Sequence, residues 1–134
     1  MRAQVGIEIM GVIGFAMLVL IPLFAGFYLY SNNFWERLAI EKADTAGTRI
    51  SSMVDIVGTQ GDAMLVQEIV IPENVERIEI RGREITLALS TSSGTTEIVK
   101  TTTHESVSGF GNLKSGSYRI KAESNRGIVT LSLE

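Results

Sequence analysis

"IMGVIGFAMLVLIPLFAGFYLY" occupies residues 9–30, and none of its 22 residues is charged. At about 1.5 Å of rise per residue it makes roughly 33 Å of helix, enough to cross a hydrocarbon core of about 30 Å. Pro22 sits inside the run and removes one backbone hydrogen bond, so a kink or local melting is expected there. Phe27, Tyr28, Tyr30 and Trp35 cluster at the far end, where amphipathic rings favour a membrane interface. Gly11, Gly14 and Gly26 would let a second helix approach closely; they are equally ordinary membrane-helix composition.

Upstream of the run, Glu8 stands between Ile7 and Ile9 with Arg2 as the only nearby cation. A carboxylate in hydrocarbon costs about 2.5–3.5 kcal/mol by insertion scales, so its presence asks for a reason. A secretory signal does not supply one: the apolar core is too long, Glu8 cancels Arg2, and no clear A-x-A site follows. A plain anchor accepts the length, with Arg2 held inside, but leaves Glu8 unexplained. In a third account a peptidase removes a short basic leader and leaves the apolar helix in place.

Arg2-Ala3-Gln4, with Glu8 four residues after Gln4 and an apolar stretch behind it, resembles the class III signal peptide of archaeal type IV pilin-like proteins. Gly6 fits the small residue that family carries between Gln and Glu. Ile9 fits its large apolar position loosely, and Ala3 replaces the commoner Gly. The resemblance implies cleavage between Ala3 and Gln4 by a prepilin peptidase, so that residues 1–3 are a leader and Gln4 is the mature N-terminus. It also implies that Glu8 serves assembly, pairing with the new α-ammonium of Gln4 on a neighbouring subunit. A buried polar pair of that kind would set register, as a lone polar residue does in a coiled coil. An N-terminal glutamine can cyclise to pyroglutamate, which would leave Glu8 to find another donor or stay protonated.

Beyond the apolar run the helical period continues. Phe34, Leu38, Ala39, Ala43, Ala46, Ile50, Met53, Val54 and Val57 recur at three- and four-residue steps, with charges on the other faces. Asn33, followed by Glu36, offers a competing helix start, so a break near 31–33 is an open alternative. Gly58 and Gly61 read as the stop. The expected helix therefore covers 4–57, about 80 Å, and the remainder, 58–134, forms a head.

From Met64 the period becomes two. Short β-rich segments (VERIEI, EITLAL, TEIVK, SYRIKAE, GIVTLSL) are separated by Arg81-Gly82-Arg83, Ser92-Ser93-Gly94 and Asn125-Arg126-Gly127. About six strands in an antiparallel sheet follow, too few residues for an independent core, so the stripe within 38–57 is expected to pack on them. The fold class is α+β. The stretch "IPENVERIEIRGREITLAL" (residues 71–89) also resembles the head segment of the same family.

Chemistry is sparse. Net charge is −3, which gives no reason to expect a nucleic-acid partner. There is no cysteine, hence no thiolate ligand or nucleophile. His104, the single histidine, lies among threonines and reads as solvated. Ser108-Gly109-Phe110-Gly111 lacks the strand-to-helix context of a phosphate cradle. Glu73, Glu76, Glu79 and Glu84 alternate with Arg77, Arg81 and Arg83 as on a solvated, ion-paired strand face. Asp62 has no clustered oxygens around it for Ca²⁺. There is no Asn-x-Ser/Thr sequon, and the Ser/Thr-rich span 90–117 suits O-linked sugars or bare solvent equally.

The sequence thus predicts no enzyme, cofactor or metal. It predicts a prepilin held in the cell membrane, matured by prepilin peptidase and added by pilus assembly machinery to a homo-oligomeric surface filament. The alternative is a non-polymerising single-span protein presenting an extracytoplasmic β domain.

Overall fold

A computed structural model describes the backbone from Arg2 and the side chains from Val5 to Glu134. Helix α1 runs Arg2–Gln60 and is followed by strands β1 (Met64–Ile71), β2 (Val75–Thr91), β3 (Gly94–Ser108), β4 (Gly116–Asn125) and β5 (Ile128–Leu133). The α+β class is as expected. Helical backbone is unbroken through Pro22 and through 31–33, so neither local melting at the proline nor a new start at Asn33 occurs.

Two compact units divide between Trp35 and Glu36. The head unit therefore begins inside the helix, well before residue 58. Within it, Ala43, Ala46, Ile50, Met53, Val54 and Val57 are buried, which is the helical stripe anticipated from the spacing. They meet Ile69, Ile71, Ile85, Leu87, Leu89, Ile120, Val129 and Leu131 from the sheet in one core. A fully buried side chain of this size contributes about 1.5–3 kcal/mol relative to exposure, so neither layer would hold without the other.

The helix outruns its expected end at Val57. It stops at Gln60 because Gly61, at φ +79°, supplies the left-handed residue that closes a helix C-terminus. Gly58 has a different task. A Cβ there would lie 2.4 Å from Cγ of His104, so only glycine lets the last helical turns sit against β3. His104 is accordingly half-buried under the helix, with its Nδ1 enclosed, and the reading of a solvated histidine is corrected.

The sheet order is β1-β4-β5-β3-β2. Pairings β1·β4, β4·β5 and β2·β3 are antiparallel. β3·β5 is parallel, so the sheet is mostly antiparallel with one parallel pair. The parallel pair arises at a bulge. Gly82 faces Ser106 and Glu84 faces Thr101, so Thr102–Glu105 oppose Arg83 alone; beyond the bulge, Glu105–Ser108 align with Ile128–Leu131.

β2 is a single run of 17 residues, yet it is not straight. Seventeen residues would span about 56 Å if fully extended. Ser90 N–H donates to Asn74 O at 2.8 Å, and Arg77 reaches Glu97, the partner of Ala88. The strand therefore doubles back at Arg81-Gly82-Arg83. Gly82 has φ +60° while Arg83 does not enter the left-handed region, which is the signature of a two-residue II′ turn. Counted by its two arms, the sheet has the six short runs that the turn residues suggest. Next to the turn, core-facing positions are even before it (Ile78, Ile80) and odd after it (Ile85, Leu87, Leu89), the change of phase that a turn imposes; Val75 is buried at the start of the strand. At Asn125-Arg126-Gly127-Ile128, the two central residues both have positive φ (53° and 84°), giving the mirror-type turn between β4 and β5.

Substituting Gly58→Ala in a free helix would stabilise it by about 1 kcal/mol. Here the collision with His104 reverses the sign, and a loss of about 1–3 kcal/mol is expected in thermal unfolding of the detergent-solubilised chain. Ile50→Ala is expected to cost about 2–5 kcal/mol by the same measurement. A Gly58→Ala protein as stable as the parent would show that the helix does not rest on the His104 ring.

Candidate assembly segment and the polar seam of the head

The apolar segment is helical throughout, and its surface is made by the side chains of 22 uncharged residues. Every residue from Val5 to Tyr30 is exposed in the single chain, including Phe15, Phe24 and Phe27. Soluble chains do not leave a contiguous apolar surface of this kind without a lipid or protein partner. The helix is long and apolar enough to cross a membrane. Gly6, Gly11, Gly14 and Gly26 have open space around their would-be Cβ positions, so packing within the chain does not account for them. Phe34 and Trp35 stack edge to face with ring centroids 5.8 Å apart, an arrangement that aromatic quadrupoles favour.

Glu8 lies on this exposed helix and has no ion pair or side-chain hydrogen bond among the described residues. Its neighbours at one helical turn, Val5, Val12 and the glycine at 11, offer no cation. The backbone at Ala3 and Gln4 is helical, but the side chains of these proposed cleavage and register residues lie outside the described set. Pro22 is inside the same helix.

The head carries a second organised feature that sequence reasoning does not find. Three acids of the helix, Glu36, Asp44 and Asp55, each bind the β2–β3 ribbon. The Glu36 carboxylate accepts from Ser92 N–H (2.9 Å) and Ser92 Oγ (2.8 Å), gripping the turn between β2 and β3. Asp44 pairs with Lys100 Nζ at 2.7 Å. Asp55 accepts from Thr103 N–H at 2.7 Å and lies 3.9 Å from His104 Nδ1.

This seam explains the composition of β3. Lys100, Thr102, His104 and Ser106 alternate on its inner side, where other strands place Ile, Leu and Val. Buried hydroxyls need partners, and these have them: Thr102 Oγ1 donates to His104 O (2.7 Å) and Ser106 Oγ to Gly82 O (3.2 Å). Thr103 N–H, freed from the ladder by the bulge, is taken up by Asp55. The carboxylate thus stabilises the bulge that sends β3 toward β5.

On the outer face, Glu79 bridges Arg77 (3.4 Å) and Arg81 (3.4 Å), both at same-strand spacing, and Arg77 also meets Glu97 across strands (3.6 Å). The expected ion-paired strand face is present in this part. Such exposed pairs contribute at most about 1 kcal/mol each. An open depression beside the last helical turns is lined by Asp55, Ile56, Thr59 and Gln60. Among the described residues no group of three or more His, Cys, Asp or Glu is placed to hold a metal.

Asp55→Ala should cost about 1–2 kcal/mol in thermal unfolding, because it removes a charge-assisted hydrogen bond to the Thr103 amide. Asp44→Ala, which removes a partly exposed pair, should cost at most about 1 kcal/mol. Hydrogen exchange should show the Asp55→Ala effect first at Thr103–Glu105; equal losses for the two variants would remove Asp55 from the role of bulge stabiliser. Comparison of the chain with protein-family models, with curated proteins and with solved structures finds no match.

Proposed function

We propose that the chain is the structural subunit of an archaeal type IV pilus-like surface filament, inserted as a prepilin and assembled through its N-terminal helix. The observation that carries this reading is the division of labour along one helix. Residues 5–30 present an exposed apolar surface, and residues 43–57 supply the core of a β head. A subunit that must leave lipid for a helical bundle needs the first property, and one that must display a folded exterior needs the second.

The Arg2-Ala3-Gln4 to Glu8 spacing supports processing between Ala3 and Gln4. In this reading Glu8 is tolerated in the apolar segment because the α-ammonium of a neighbouring Gln4 meets it after cleavage. An isolated carboxylate in a filament core would otherwise carry the desolvation penalty of an unpaired charge. The prepilin peptidase, the assembly machinery and other copies of this chain are then its partners, and the head faces the medium on the finished filament.

Intact-mass measurement on protein from native membranes tests the processing step. Loss of Met1–Ala3 is expected, and an uncut chain would overturn the reading. Electron microscopy of material sheared from cells should show filaments containing the chain. A membrane fraction holding all of it, with none in the sheared material, would favour a single-span protein that displays its β domain. Glu8→Ala should leave membrane insertion intact and sharply reduce filament yield, whereas normal yield would remove Glu8 from assembly.

A further inference from the structure

The loop between β3 and β4, residues 109–115, is short of secondary structure but firmly attached. At its start Gly109 N–H donates to Leu131 O of β5 at 2.6 Å. A Cβ at Gly109 would come within 2.9 Å of that same oxygen. Ser108 Oγ donates to Phe110 O at 2.6 Å. Phe110 packs against the core, and Leu113 is buried within it.

Between these two anchors stands Asn112, whose side chain reaches the first arm of β2. Its Oδ1 accepts from Ile78 N–H at 3.2 Å, and its Nδ2 donates to Glu76 O at 3.1 Å. β2 is the last strand in the sheet order. Its second arm pairs with β3, and the first arm folds back from it, so residues 75–80 form a sheet edge. An edge offers unpaired main-chain donors and acceptors to another chain, and proteins block such edges by charge, proline, bulges or a covering loop. One primary amide supplies both a donor and an acceptor, which are the two groups that an added strand would present at this place.

We propose that the 109–115 loop is an edge guard. In it, the Asn112 amide occupies the Glu76/Ile78 main-chain pair and keeps this edge from pairing with a strand of a second copy of the chain. The arm needs such protection. Its residues Val75-Glu76-Arg77-Ile78-Glu79-Ile80 carry the β-formers Val75, Ile78 and Ile80, no proline, and a net charge of only −1, with Glu79 paired to Arg77 and Arg81. The role is independent of whether the chain polymerises through its helix, since it concerns the head alone.

The test is hydrogen exchange and sedimentation velocity on the full chain in detergent, comparing wild type with Asn112→Ala and Asn112→Asp. Asn112→Ala should raise exchange at Ile78 about tenfold while Val129 and Leu131 in β5 keep their protection. It should also add a concentration-dependent larger species absent from wild type. Asn112→Asp keeps the acceptor and should retain most of the Ile78 protection. Three results overturn the proposal: unchanged exchange at Ile78, an equal rise across β5 that marks general loosening, or local deprotection with no gain in self-association.

Discussion

Burial of the Ala43–Val57 stripe against the sheet is the constraint on which the head depends. Its sheet side is a single apolar face built from β1, β2, β4 and β5, with Ile69, Leu87, Leu89, Ile120, Val129 and Leu131 fully enclosed. A sheet of this size has no second layer of its own, so the helix must provide it. The stripe uses small residues at its start, Ala43 and Ala46, and larger ones from Ile50 onward. That gradient lets the helix lie close to the ribbon at one end and fill the core at the other.

A helix that covers a sheet by apolar contact alone can slide or rotate, because the hydrophobic effect is non-directional. The polar seam supplies direction. Glu36, Asp44 and Asp55 stand at successive heights on the helix and engage Ser92, Lys100 and Thr103 in chain order along the ribbon. Each contact is weak or moderate, but a shift of one helical turn would break all three together. Gly58 adds a steric limit at the far end, where His104 fills the space that a side chain would take. Register in the head is thus fixed by hydrogen bonds and shape, and stability comes from the aliphatic core.

Much of this is legible in the sequence because periodicity and turn chemistry are local signals. The three- and four-residue spacing that marks Ala43 to Val57 is the face that is buried, and the Gly82 and Gly127 turns fall where left-handed or mirror-type backbone is needed. At position 58 a packing glycine and a terminating one look alike in sequence; only the position of His104, 46 residues away, distinguishes them. The seam is illegible for the same reason, since its partners are separated by 56 residues in two cases, Glu36 to Ser92 and Asp44 to Lys100, and by 48 in the third. The parallel β3·β5 pair depends on a bulge held by Asp55, so it too is a product of tertiary contact.

The apolar segment poses the opposite problem: its sequence is transparent and its environment lies outside the single chain. Twenty-two uncharged residues guarantee that water is the wrong solvent, yet lipid and a bundle of like helices would each satisfy the aliphatic surface. Glu8 is the residue that separates the two. In lipid, near the end of a helix, a carboxylate can be accommodated by reaching the headgroups, and it then carries no information about partners. In a protein bundle it must be matched by a donor, and a match confined to one position fixes how far each helix is displaced along the next. On the proposed function, the same side chain would be a tolerated cost in a membrane and a specificity element in a filament, so its substitution would distinguish insertion from assembly.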